Sequence, residues 1–182
     1  MSKEREDFFR LTQTYPLYIL QPGGEIKVVA ARPWGGYDDV AAFHAKFGVP
    51  SHLDTPLGLP SKDVLEFRAK FLKEELTEMV EAYEAHDLQK YLDALLDLVY
   101  VAYGTALMSG VSPELWAKLW QTVQDANMRK VRAASVEESA AKTGRSSQYD
   151  VVKPDGWVSP DNAQKALIIE AGLHQAFKNI DP

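Results

Sequence analysis

Apolar and polar positions follow several distinct rhythms along this chain. Between residues 63 and 85, Leu65, Leu72, Leu76, Met79, Val80 and Tyr83 recur at helical spacing, which predicts an amphipathic helix. Ser61 stands before it as a capping residue. From Leu92 to Tyr103 every residue is apolar or aromatic except Asp93 and Asp97. This predicts a second helix over 88–109, apolar on nearly all sides and therefore buried in a bundle. Asp87 is its N-cap and Gly110 its terminating residue. Ser112-Pro113-Glu114 joins a capping serine, a proline at the first helical position and an acid in the first turn, so a third helix is expected over 113–134.

Shorter patterns flank these three. Val40, Phe43 and Phe47 share a face of a helix over 39–47, ended by Gly48 and Pro50. Residues 17–20 and 26–30 are β-type runs around Gln21-Pro22-Gly23-Gly24-Glu25, which predicts a hairpin. Residues 135–150 are small and polar, with Gly144-Arg145-Ser146-Ser147, and read as a mobile loop. Lys153-Pro154-Asp155-Gly156-Trp157 reads as a turn with one large aromatic, and 161–177 as a final helix weakened by Gly172. The expected fold class is all-α, an antiparallel helical bundle with a small N-terminal hairpin.

Composition narrows the chemistry. The chain has 182 residues, enough for one domain with peripheral extensions. It has no cysteine, which excludes disulfides, zinc–thiolate sites and thiol nucleophiles and agrees with a cytoplasmic setting. Residues 1–15 lack an apolar core, so no secretory signal is read there. Asp93 and Asp97 interrupt the longest apolar stretch and argue against a membrane span. A net charge of −6 disfavours nucleic acid as a general partner.

The two aspartates carry the first chemical signal. Four residues apart, they share a helix face, and an unpaired buried carboxylate costs several kcal/mol or more. They stand mid-helix and cannot be caps; a cation between them would offset their repulsion. The preceding helix supplies Glu74, Glu75 and Glu78, while Glu81 and Glu84 read as a solvated face. If the chain reverses at His86–Asp87, the helical rise puts Glu78 roughly 13 Å and Glu75 roughly 17 Å from the turn. Asp93 and Asp97 then lie roughly 10 Å and 16 Å from it, so Glu75 meets the level of Asp97. Hard oxygen donors without histidine or cysteine select magnesium or manganese. The rival di-iron bundle needs Glu-x-x-His, and none of His44, His52, His86 and His174 follows a glutamate by three. No phosphate-loop lysine, nucleophile elbow or His-Glu-x-x-His is present.

These residues carry a family resemblance. Glu74-Glu75-Leu76-Thr77-Glu78 followed by Asp97-Leu98-Val99-Tyr100-Val101-Ala102-Tyr103-Gly104-Thr105-Ala106 resembles the all-α nucleoside triphosphate pyrophosphohydrolases: MazG-like proteins, dimeric dUTPases and phosphoribosyl-ATP pyrophosphohydrolases. The likeness is strongest to small phage-type MazG-like proteins. It extends to Phe43–Pro50, Asn127-Met128-Arg129-Lys130 and the Lys153–Trp157 turn. It implies a catalytic helical domain over 38–160, with 1–37 and 161–182 as extensions. One departure stands out. The superfamily's second motif is often Glu-x-x-Asp, whereas here Ala94 is three before Asp97 and Asp93 is four before.

The resemblance implies magnesium-dependent hydrolysis of a nucleoside triphosphate to a monophosphate and pyrophosphate, with manganese as a substitute metal. A deoxynucleotide such as dUTP or dGTP is the expected substrate, and a homodimer or homotetramer the expected assembly. Glu75, Glu78 and Asp97 are then metal ligands, joined by Asp93, and Glu74 orients or deprotonates the attacking water. Asn127, Lys130, Lys153, Trp157 and Tyr100 fall on the substrate side; Trp116 and Trp120 are assigned to the core, and His44 to packing. The competing reading is a non-catalytic oligomerisation or nucleotide-binding module on the same bundle, which would have no reason to keep carboxylates in an apolar helix.

Overall fold

The structure is a computed structural model that describes residues 36–172, together with the backbone of 18–20 and 26–28. It is all-α in class: six helices and two short antiparallel strand pairs among the described residues. The chain divides into two compact units, Met1–Pro113 and Glu114–Pro182.

The first unit opens with β1 (Tyr18–Leu20) and β2 (Ile26–Val28), paired antiparallel with Tyr18 opposite Val28, as the hairpin reading expects. Helix α1 (Tyr37–Phe47) starts where the Gly36 N–H donates to Asp39 Oδ2 at 3.3 Å and stops at Gly48, whose φ of +68° closes the last turn. Its buried face is Tyr37, Val40, Ala41, His44 and Ala45, the i, i+3, i+4, i+7, i+8 stripe of an amphipathic helix. Phe43 and Phe47 are exposed, so the packing face is rotated from the one the large aromatics suggest. Those rings instead stack on each other, with Phe43 edge-on to Tyr100.

Helices α2 (Lys62–Glu84) and α3 (Leu88–Met108) fold back on each other. Both expected caps form: Ser61 Oγ accepts from Val64 N–H, and Asp87 Oδ1 from Lys90 N–H. The reversal falls at Ala85-His86-Asp87, with His86 at a positive φ of 55°. Helix α1 packs on α3, held by the Tyr37 hydroxyl donating to Val111 O at 2.8 Å and by the Tyr37 and Tyr103 rings. The third helix of this bundle is therefore α1.

The inward stripe of α2 is Arg68, Glu75 and Ala82, at heptad spacing. Its apolar stripe, expected as core, lies outside: Leu65, Leu76, Val80 and Tyr83 are exposed. Leu88, Leu92, Leu96 and Val99 of α3 are exposed too, Leu96 by 69%. Helix α3 is long and apolar enough to cross a membrane by length and composition, yet it carries Asp93 and Asp97.

The helix expected over 113–134 is α4 (Pro113–Met128), and all but its first residue belongs to the second unit. It stops six residues early because the chain turns at Asn127, whose carbonyl accepts from Lys130 N–H, and enters β3 (Val131–Arg132). Trp120 is 54% exposed and Trp116 half-buried, against their assignment to the core. The stretch 135–150 is not a loop throughout: it holds α5 (Val136–Thr143). Ser135 Oγ accepts from Glu138 N–H while Glu138 Oε2 accepts from Ala134 N–H, a capping arrangement readable in Ser-x-x-Glu. Strand β4 (Val151–Val152) pairs with β3, and α6 (Asp161–Glu170) follows, shorter than the helix expected to 177; positions 173–177 of that expectation lie outside the described residues.

Candidate active site

Glu75 is the buried carboxylate of the α2–α3 hairpin, 8% exposed. Burial pushes its pKa up, and the charges of Asp97, Glu78, Glu74 and Asp93 push it further, in that order of strength. The ranking agrees with the level-matching expectation, since Asp97 acts on Glu75 most strongly across the hairpin. Glu74, Glu78, Asp93 and Asp97 are themselves exposed. Ala94, the position three before Asp97, is 3% exposed, whereas Asp93 stands outward and acts least on Glu75.

Among the described residues, no three His, Asp or Glu side chains converge as placed into a group able to hold a metal ion. The donor chemistry nevertheless suits a hard cation: one desolvated carboxylate lies in the field of four others, with no sulfur or nitrogen ligand among them. The outer four are exposed and open to solvent ions.

Sequence reasoning missed Arg68. It lies two turns before Glu75 on the same stripe and is only 7% exposed. Its Nη2 donates to Val101 O at 2.6 Å and its Nε to Thr105 Oγ1 at 3.0 Å. No carboxylate among the described residues pairs with it, and burial pushes its pKa down. Gly104 makes the room: a Cβ there would stand 2.8 Å from Arg68 Nη2 and 3.0 Å from His44 Nε2. His44 itself is buried, its Nδ1 2.8 Å from Pro50 O, in keeping with a packing role. The readable signals were an arginine on the inner heptad of Glu75 and a glycine inside an apolar helix.

Arg68 bonds α3 one turn past Asp97 and leaves α2 two turns before Glu75, so it sets the axial register of the two acidic segments. Arg68→Ala is expected to lower stability by about 2–4 kcal/mol, from lost charge-assisted hydrogen bonds and a residual cavity. Chemical denaturation checks this; an unchanged midpoint would remove Arg68 as a fastener.

The remaining expected site residues divide between the units. Tyr100 lies with the acidic set in the first, its ring edge-on to Phe43 and its hydroxyl pKa raised by burial. Asn127, Lys130, Lys153 and Trp157 lie in the second. Asn127 is exposed at the end of α4. Lys130 is beyond the helix rather than one turn along its stripe. Trp157 is half-buried; its Nε1–H donates to Ala126 O at 2.8 Å, and Lys153 Nζ lies 4.4 Å from its ring centroid. Lys130 and Lys153 line one cavity.

Residues 40–127 match the family model described as phosphoribosyl-ATP pyrophosphohydrolase. The match takes in Glu74, Glu75, Glu78, Asp93 and Asp97, with Tyr100 and Asn127, and ends before Lys130. No curated protein matches the chain.

Proposed function

We propose that the chain, whose residues 40–127 match the phosphoribosyl-ATP pyrophosphohydrolase family model, is a MazG-like all-α enzyme that hydrolyses a nucleoside triphosphate to its monophosphate and pyrophosphate with magnesium. The observation that carries this reading is Glu75, a desolvated carboxylate on which four further carboxylates act across one helix hairpin. Such a group is poorly placed for stability alone, because each added like charge disfavours its ionised form. Clustered carboxylates are useful where a divalent cation is to be held.

Glu75, Glu78 and Asp97 are the residues that would hold magnesium, with Asp93 as the outermost donor and manganese as a substitute. When bound, the metal supplies positive charge that offsets charge developing on the phosphoryl oxygens. Glu74 orients the attacking water and accepts its proton. The water oxygen bonds to the α-phosphorus, and the bond from that phosphorus to the β-phosphate's bridging oxygen breaks, so pyrophosphate leaves. Asn127 reads a base or sugar edge, Lys130 and Lys153 meet phosphates, Tyr100 faces the nucleotide and Trp157 stacks or packs. A deoxynucleotide such as dUTP or dGTP is the proposed substrate. Residues 38–160 act as the catalytic region, with extensions on either side, in a cytoplasmic enzyme.

The deciding experiment is a panel of natural deoxy- and ribonucleoside triphosphates, with phosphoribosyl-ATP, assayed with magnesium and with chelator. Metal-dependent release of monophosphate and pyrophosphate is expected. Orthophosphate with a diphosphate would refute the bond assignment, and no turnover of any substrate would favour the non-catalytic module.

The same reading includes a homodimer or homotetramer. Leu76, Val80 and Tyr83 of α2 and Leu88, Leu92, Leu96 and Val99 of α3 remain exposed in the single chain, and another copy covering them would remove a large apolar surface from water. Light scattering at micromolar concentration is expected to give at least twice the 20.3 kDa chain mass; a monomer mass would contradict this assembly.

A further inference from the structure

A cavity of about 470 Å³ lies wholly within the second unit, lined by Lys130, Lys142, Thr143, Arg145, Val151, Lys153 and Asp155. Its size falls within the range of small-molecule sites, roughly 300–1,000 Å³. Four cations and one carboxylate line it, two of the cations being paired with Glu138 and Asp150 beyond the lining, in a chain whose net charge is −6. Like charges gathered around one concavity repel one another and raise the local concentration of anions.

The cations differ in how they are held. Arg145 Nη2 donates to Asp150 Oδ1 at 2.6 Å, and its Nε to both Asp150 oxygens at 3.1 Å. Asp150 is almost buried and also accepts from Ser139 Oγ, Thr143 Oγ1 and the Val151 N–H. Arg145 foremost, then Thr143 and Ser139, hold its carboxyl far below the usual carboxylate range. This buried network fixes the arginine, whose Nη1 has no protein partner among the described residues. Gly144 at φ +75° and Ser146 at φ +53° bend the chain that carries it. Lys142 is tied to Glu138 at 2.8 Å. Lys130 and Lys153 have no carboxylate partner among the described residues, and Lys153 lies over the Trp157 ring.

We propose that this cavity binds a polyphosphate anion, with Lys142 and Arg145 as prepositioned charges and Lys130 and Lys153 as the cations that close on it. A multiply charged, extended anion fits better than orthophosphate, because the cations come from both β-strand ends and from the α5 terminus. Guanidinium and ammonium groups suit phosphoryl oxygens as charge-assisted donors. The inference deepens the proposed function and rests on it for the natural ligand, the phosphate tail of a nucleotide; the anion site itself rests on these residues.

The test titrates the full chain with inorganic tripolyphosphate, pyrophosphate and orthophosphate by calorimetry, in chelator and at fixed salt, so that the acidic site contributes nothing. Saturable binding is expected, tightest for tripolyphosphate. The double variant K130A/K153A and the single variant Lys142→Ala should each weaken it by roughly tenfold or more, the effect of one or two charge-assisted bonds. Glu75→Gln should leave it intact. All are checked for an unchanged circular dichroism spectrum. No saturable binding by the unaltered chain, or equal binding by the double variant, would overturn the proposal. Tripolyphosphate binding that the lysine variants lose, in a chain that hydrolyses no nucleotide, would uphold the anion site while removing the enzymatic reading.

Discussion

Asp97→Asn is expected to lower kcat/KM for the best triphosphate by about a thousandfold or more, the scale of losing a ligand from a metal-assisted phosphoryl-transfer site. The chain should remain folded. Asp97 is the charge that acts most strongly on Glu75, after burial itself, and asparagine keeps the shape while removing that charge. Glu75 then ionises more readily in the variant, because one source of its raised pKa is gone. Repulsion inside the hairpin falls, so the melting midpoint should hold or rise. The two measurements pull apart the roles of the residue: activity lost with stability kept is the signature of a functional carboxylate. Full activity at saturating magnesium would remove Asp97 from the site, and lost activity with a lower midpoint would point to a structural defect.

Gly110→Ala is expected to lower stability by about 2–5 kcal/mol, combining the left-handed backbone penalty with overpacking. Gly110 ends α3 at φ +75°. A Cβ there would stand 2.5 Å from Pro56 C and 2.6 Å from both Leu57 N and Pro56 O. Those are backbone atoms, which cannot swing aside as a side chain can, and the neighbouring Gly58 N–H is bonded to Ser109 O. The loop before α2 is thus seated directly on the end of α3. Gly48→Ala is the internal comparison, since Gly48 has φ +68° but nothing within 4 Å of its Cβ position. It carries the backbone penalty alone, about 1–2 kcal/mol. Thermal or denaturant unfolding of both variants checks the contrast; equal losses would mean that contact with the loop contributes nothing.

The extents of α2 and α3, the caps at Ser61 and Asp87, the reversal at His86–Asp87 and the hairpin strands could all be read from the chain alone. Each is governed by residues close in sequence, through local hydrogen bonds, rise per residue and turn chemistry. The all-α class and the pairing of Glu75 with the level of Asp97 follow from the same short-range geometry. Errors arose where local patterns were ambiguous. Small polar residues over 135–150 looked like loop, although Ser135 and Glu138 cap a helix there. Good helix formers beyond Met128 hid a turn and a strand pair that depends on Val151 and Val152, twenty residues away.

The direction in which each helix faces was decided only by the tertiary structure. Periodicity finds an apolar stripe but does not say what covers it. On α2 the inward stripe is Arg68, Glu75 and Ala82, and the leucines look outward. Nothing local to α2 could reveal this, because it depends on Val101 and Thr105 accepting the Arg68 guanidinium and on Gly104 leaving room for it. The meeting of Lys130, Lys142, Arg145 and Lys153 around one cavity likewise requires α5 and the strand pair to be folded. The sequence by itself determined the α2–α3 hairpin, its caps and its reversal, because helical geometry and capping are local. Only the tertiary structure decided which charges are buried, which apolar faces stay exposed in the single chain and which cations are gathered, because these depend on contacts between residues far apart in the chain.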